Sequence, residues 1–174
     1  MTASTVSSTD PDWSREAPGR WWDPGRRLLR CIRRYQAARA AGGLRGRLAA
    51  KRFALEHRFW SVVTQAEIDL TARIGGGLLI PHPNGVVIHP EARIGPNCLI
   101  FQQVTLGTVA DRPGAPEIGG HVDIGAGARI LGPVRIGEHA RIGANAVVLC
   151  DVPAGATAVG IPARVLARAA GAGC

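Results

Sequence analysis

Of the 174 residues, 46% are apolar and 20% charged, enough chain for one domain with a buried core plus a small appendage. The net charge of +8 is lopsided: residues 1–66 carry 13 Lys/Arg against 5 Asp/Glu, whereas residues 67–174 carry 8 of each. No run approaches the ~20 apolar residues of a membrane span, residues 1–12 lack the apolar centre of a secretion signal, and Cys31, Cys98, Cys150 and Cys174 follow neither metal-site nor disulfide-framework spacing, so the reading is a protein of the reducing cytoplasm.

Residues 1–66 read as a polar leader and a basic α-helical region. After residues 1–12 come Trp13, Trp21 and Trp22. Leu28, Leu29, Ile32 and Tyr35 then recur at helical spacing, and a second stretch runs from Leu44 through Leu48, Phe53 and Leu55 to Phe59 and Trp60. Ala41-Gly42-Gly43 is the expected break between them. A basic excess attracts nucleic acid, anionic lipid or polyphosphate, but it is also what a solvated helical face looks like; the solvated face is the preferred reading, with no nucleic-acid partner. Arg26, Arg27, Arg30, Arg33 and Arg34 offer a seat on an anionic membrane. Packing of the apolar stripe on the following domain or on a neighbouring subunit is preferred to that.

From Ile68 onward an aliphatic residue returns every six positions: Ile68, Ile74, Ile80, then Ile88, Ile94, Ile100, Leu106, then Ile118, Ile124, Ile130, Ile136, Ile142 and Val148. Glycine often follows, and four positions on a small or β-branched residue recurs, as in Ala72, Ala92, Cys98, Val104, Val122, Ala128, Val134, Ala140, Ala146 and Val152. A helix of 3.6 residues per turn cannot hold that period on one face. A strand that turns a corner every six residues can, and three such strands close a triangular coil of about 18 residues whose stacking buries an aliphatic column. Residues 67–166 are therefore expected to form a parallel β-helix, followed by a tail, 167–174.

The frame breaks twice. Two surplus residues fall between Ile80 and Ile88, where the chain reads Pro81-His82-Pro83-Asn84-Gly85. Between Leu106 and Ile118, Pro113, Gly114 and Pro116 mark a loop, 108–117, leaving the coil, with Arg112 at the intervening anchor position. Of the five histidines, His121 and His139 share an outward position and read as solvated, His57 lies in a helix without a motif, and His89 follows an anchor. His82 alone stands at a frame break, and an imidazole there suits a general base.

The ordered set Glu67-Ile68 with Ile74-Gly75, His82 with Gly85, Gln102 with Val104-Thr105-Leu106-Gly107, Ile124-Gly125-Ala126-Gly127-Ala128, Ile142-Gly143-Ala144 and Gly160-Ile161-Pro162-Ala163-Arg164 resembles the serine acetyltransferases, including short members found with polysaccharide-synthesis enzymes. The resemblance implies a left-handed parallel β-helix, acetyl-CoA as co-substrate, no metal, and direct transfer to a hydroxyl. It puts the catalytic histidine at His82 and its orienting carboxylate at Glu67; Asp69 stands where the family commonly has another residue, yet is close enough to be a rival partner, and is read as a substrate contact. It lines a coenzyme A groove with Gly107, Thr108, Ala126 and Ala144, assigns Arg164 to a CoA phosphate, and implies a homotrimer or a dimer of trimers.

The chain also departs from that family. Pro81 stands where the serine enzymes place Asp, and the loop offers Arg112 without the accompanying histidine. Serine is therefore expected to be a poor acceptor or to depend on Arg112, with a sugar or another small hydroxylated metabolite as the alternative. The ending Gly171-Ala172-Gly173-Cys174 lacks the family's isoleucine tail, so no cysteine synthase complex is expected. A zinc-dependent γ-type carbonic anhydrase would need a close histidine pair that His82, His89 and His121 do not provide. A non-catalytic scaffold held at membranes by residues 21–60 is the remaining reading, and the intact His82 motif speaks against it.

Overall fold

A computed structural model of the chain describes residues 6–166. The six-residue period becomes five stacked coils, each of up to three short strands. The first holds β1 (Glu67–Ile68) and β2 (Arg73–Ile74), with Leu79 bridged to the next coil. The second holds β3 (Val87–Ile88), β4 (Arg93–Ile94) and β5 (Leu99–Ile100); the third β6 (Thr105–Gly107), β7 (Glu117–Ile118) and β8 (Asp123–Ile124). The fourth holds β9 (Arg129–Leu131), β10 (Arg135–Ile136) and β11 (Arg141–Ile142); the fifth β12 (Val147–Val148) and β13 (Thr157–Gly160). Finally β14 (Ala163–Leu166) folds back antiparallel on β13. Parallel pairing between coils gives sheet A (β1-β3-β6-β9-β12), sheet B (β2-β4-β7-β10) and sheet C (β5-β8-β11-β13-β14).

The strands are short because the chain must turn every six residues, and within each one side chain points in and its neighbour out. Ile100, Leu106, Ile124, Ile130 and Val148 are wholly buried, whereas Arg73, Arg93, Glu117, Arg135 and Arg141 beside such anchors are exposed. The small residues Ala92, Cys98, Val104, Val122, Ala128, Ala140 and Ala146 fill the corners at 0% exposure. Val152 corrects one reading: it bridges Ile136 as an inward anchor rather than filling a corner, because this layer spans 16 residues instead of 18. The C–A and B–C corners also use a left-handed residue. Gly85, Gln103, Gly127 and Asn145 supply it between sheets C and A, and Gly77, Asn97, His121, His139 and Gly155 between B and C.

Register measures the frame breaks. Glu67 pairs with Val87, 20 residues on; Val87 with Thr105, 18 on; Thr105 with Arg129, 24 on; and Arg129 with Val147, 18 on. The first break thus adds two residues and the loop six, each pushed out at a corner.

Helices α1 (Pro24–Ala41) and α2 (Gly43–Thr64) meet at the expected glycines. Leu28, Leu29, Cys31 and Ile32 of α1 join the β-helix core, as the packing reading required. The outer helix, α2, buries only Gly46, Ala50, Trp60 and Thr64. No helix among the described residues is long and apolar enough to cross a membrane. The leader does more than its polarity suggested: it runs along the B–C corner. The buried Asn97 amide accepts from the Asp12 N–H and donates to the Ser7 and Asp10 carbonyls, all at 2.8 Å. Ser8 donates to Glu138 at 2.7 Å. A 3-10 turn, Trp13–Glu16, ends in buried Glu16, whose carboxylate accepts from Arg33 at 2.8 and 3.1 Å and from the Leu78 N–H at 3.1 Å. The tail 167–174, on which the expectation about cysteine synthase rests, lies outside the described residues.

Candidate active site

The C–A corner carries the first frame break. Along it a backbone ladder climbs from coil to coil: Gly85 N–H donates to Gln65 O (3.0 Å), Gln103 to Asn84 (2.9 Å), Gly127 to Gln102 (2.9 Å) and Asn145 to Ala126 (2.8 Å). His82 is exposed in the surplus loop at the head of this column, with Gln102, half-buried Ala126 and exposed Ala144 following one per coil. A solvent-reached imidazole at the end of this column is a place where a long thin ligand can lie and meet a base.

Glu67 starts β1 two residues after Gln65, and its N–H donates to the Val86 carbonyl at 2.8 Å. The Asn84 side-chain amide also donates to the Gln65 side chain. Glu67 and the His82 loop therefore lie on adjacent coils at the same edge, although among the described residues the two side chains form no ion pair. Asp69 belongs to the opposite edge. It opens the A–B corner, where the Thr71 hydroxyl and N–H hold its carboxyl below the usual carboxylate range. Gln102 has a different signature: its Oε1 is buried without a hydrogen-bond partner among the described residues. A buried acceptor left unpaired costs about 1–3 kcal/mol, so it is a natural landing point for a ligand N–H.

The remaining expected residues divide between corners. Arg164 sits opposite Val159 in the β13–β14 hairpin, at the last layer of the C–A column. Gly107 ends β6 and Thr108 follows it at the A–B corner, where the loop departs. There Val109 and Arg112 form an antiparallel bridge, and both terminal nitrogens of Arg112 donate to the Leu149 carbonyl at 3.2 Å. One prism thus displays His82, Ala126, Ala144 and Arg164 on one edge and Gly107, Thr108 and Arg112 on another.

Three histidines differ from their sequence reading. His57, without a motif in α2, donates from Nε2 to the Ile68 carbonyl at 2.9 Å and lines a 250 Å³ cavity with Ser61, Glu67, Asp69 and Ile88. Only its place one turn from Ser61 on a helix facing β1 could have signalled this. His121 and His139 are not two independently solvated residues: their Nδ1 atoms share a hydrogen bond at 2.8 Å, and burial lowers the pKa of His121. Their shared position across one 18-residue coil did hold that information. Among the described residues no three metal-ligating side chains converge.

Comparison with known proteins bears on this corner. Residues 115–150 match the family model for the bacterial transferase hexapeptide (six repeats). The chain is 41% identical over 147 residues to the serine acetyltransferase of Helicobacter pylori strain J99, covering 83% of this chain and 82% of that one. Among solved structures, soybean serine acetyltransferase complexed with serine superposes with a TM-score of 0.69 at 41% identity, over 82% of this chain and 57% of that one. A serine acetyltransferase in complex with CoA gives 0.70 at 34% identity, over 84% and 58%. The chain therefore spans somewhat over half the length of these solved proteins.

Proposed function

The chain belongs to the serine acetyltransferase family, with its left-handed parallel β-helix, and from that premise we propose that it is a cytoplasmic O-acetyltransferase moving acetyl from acetyl-CoA to a small hydroxylated acceptor with His82 as the base. The observation that carries this reading is His82 standing exposed where two surplus residues break the register, at the head of the Gln102–Ala126–Ala144 column. Neutral imidazole takes the hydroxyl proton as the oxygen attacks the thioester carbonyl. The new C–O bond gives a tetrahedral oxyanion, the C–S bond breaks, and the departing thiolate takes the proton back from the imidazolium. Glu67, on the adjacent coil, fixes the ring tautomer and steadies the imidazolium through the far nitrogen. The Thr71 contacts occupy the Asp69 carboxylate in its own turn, which supports Glu67 over Asp69 as the orienting carboxylate.

Acetyl-CoA suits the C–A edge. Ala126 and Ala144 leave room for a pantetheine arm, Gln102 Oε1 offers an acceptor to an amide N–H, and Arg164 offers a guanidinium to a phosphate. The division of the site between two corners supports a homotrimer: a groove between neighbouring prisms sets the His82 edge of one copy against the Gly107–Arg112 edge of the next. An active monomer in sedimentation at assay concentration would refute the assembly. For the chemistry the test is thiol release from acetyl-CoA. His82→Ala should lower turnover by about 10²–10⁴ with CoA affinity unchanged, and Glu67→Gln should act in the same direction less severely. A folded His82→Ala enzyme of near-full activity would remove the assignment.

A further inference from the structure

The outer face of α2 is left over by everything described so far. Leu44, Leu48, Leu55, Phe59 and Val62 are 75%, 59%, 69%, 55% and 79% exposed. At about 100° per residue they fall within one sector of about 60°, an apolar stripe spread over about five turns. Arg47, Lys51 and Arg58 border it on one side and Arg45 and Arg52 on the other, all exposed. The one acid of α2, Glu56, is turned away beside Cys31 of α1. Past the C-terminal half of the stripe, the Trp22 ring packs tilted against Trp60 with centroids 5.7 Å apart and Trp21 packs tilted against Trp22 at 5.7 Å, with Trp21 83% exposed.

We propose that this face seats the protein on an anionic lipid surface, α2 lying in the interface plane with its apolar stripe in the acyl boundary and its two cationic rows among the headgroups. An apolar stripe alone would accept several occupants; the charges choose between them. A second copy laid on the stripe would bring cationic rows against cationic rows, with no exposed acid in α2 to offset them. Anionic headgroups meet both rows with the opposite sign, at about 1 kcal/mol per Lys or Arg near the surface. Long basic side chains reach outward from an apolar bed, and tryptophans favour that boundary, so the flanking residues fit the same occupant. It also gives the +8 excess of residues 1–66 a use that the reaction does not require.

The test is co-sedimentation of the whole protein with vesicles of phosphatidylcholine alone or with about 30 mol% phosphatidylglycerol. Expected are binding about tenfold stronger to the anionic vesicles, weakening as salt rises from about 0.1 to about 0.5 M, and loss in Leu55→Asp/Phe59→Asp. Both positions are exposed, so this variant should keep the wild-type melting temperature, and Arg47→Glu/Arg52→Glu should weaken binding without altering the stripe. Equal binding to neutral vesicles, or binding untouched by the aspartates, would overturn the proposal. So would a change in the sedimenting mass of Leu55→Asp/Phe59→Asp in lipid-free buffer, because it would assign the stripe to a second copy.

Discussion

Replacing Glu16 by Ala should unfasten the leader and α1 from the first coil. The Glu16 carboxylate is 8% exposed and the Arg33 side chain 21%. Arg33 reaches Glu16 with two nitrogens and donates at the same time to the Ile74 and Gly75 carbonyls at 2.5 and 2.7 Å, so one guanidinium ties the 3-10 turn to the B–C corner. Removing one partner of a buried pair costs about 3–5 kcal/mol. Here the two carbonyls and partial water access leave Arg33 better off than a bare buried cation, which lowers that figure. The Leu78 N–H, buried and now without its acceptor, adds about 1 kcal/mol. The balance is about 2–4 kcal/mol, which for a chain of this size lowers Tm by roughly 5–12 °C. Circular dichroism melts at fixed protein concentration would measure it, with Arg33→Met and the double variant completing a cycle. A coupling of about 1–3 kcal/mol is expected. A Glu16→Ala protein melting within about 1 °C of wild type would show that the ion pair does not hold the leader in place.

Much of the architecture was legible because burial in a stacked coil is strictly periodic. Each inward residue from Ile68 to Val148 has to meet its counterpart one coil away, so its identity is constrained every six positions. The same periodicity exposed His82 and the 108–117 loop as surplus. Val152 was misread because deletion of two residues in the last layer leaves no polar or glycine marker, only a changed distance to the next partner. The leader's seat escaped notice for a different reason. It is held by a side-chain amide, Asn97, and by a carboxylate, Glu16, that meet their partners 85 and 17 residues away, and a polar sequence gives no sign of which polar groups will be buried.

The candidate site was legible in its chemistry and hidden in its geometry. His82, Ala126 and Ala144 share an edge because they occupy one corner of successive coils, which spacing alone encodes. That Gly107 and Arg112 occupy a different edge follows from which corner the loop leaves, and here phase along the coil matters as much as period. Glu67 and Asp69 are two residues apart in sequence, yet they begin and end one side of the prism, so their nearness in sequence overstated their equivalence. His57 was invisible because a helix brought it across to β1, and contacts between a helix and a coil have no period in the sequence.

Other expectations can be tested on the same protein. Burial pushes the Cys31 thiol up to about 12 and Cys98 up to about 11, so in a Cys174→Ser background only exposed Cys150 should react with a disulfide reagent near pH 8 until the protein is unfolded; fast labelling of all three in the native state would contradict the packing. Burial lowers the His121 pKa, and His139, Asp123, Arg15 and Arg141 surround it, so the unfolded chain takes up that proton first and stability falls as pH drops below the ordinary 6.5. Asn tolerates the φ of 53° found there, and His121→Asn should flatten the decline in Tm between about pH 7 and pH 5; an unchanged slope would count against it. Because Gln102 Oε1 has no partner to lose, Gln102→Leu should melt no lower than wild type while raising the KM for acetyl-CoA by about tenfold; a lower Tm with unchanged KM would make Gln102 structural. The acceptor turns on Arg112. Its two hydrogen bonds go to a single neutral carbonyl, Leu149 O, at 3.2 Å and in the open, so together they are worth about 1 kcal/mol and are readily given up. A substrate carboxylate offers the same fork two charged oxygens in place of one neutral one, a contact worth about 1.5–3 kcal/mol and more when water is excluded. With Pro81 supplying no charge for an ammonium group and the loop supplying no histidine, Arg112 is the one side chain of this loop suited to grip the carboxylate of an amino-acid acceptor. Arg112→Ala should therefore cut kcat/KM for L-serine by about 10–10² while lowering Tm by no more than roughly 2–4 °C and leaving a sugar acceptor unaffected. A high kcat/KM for L-serine that ignores Arg112→Ala would refute the argument, and would mean that groups outside the loop, such as His57 and Glu67 of the cavity between α2 and β1, recognise serine.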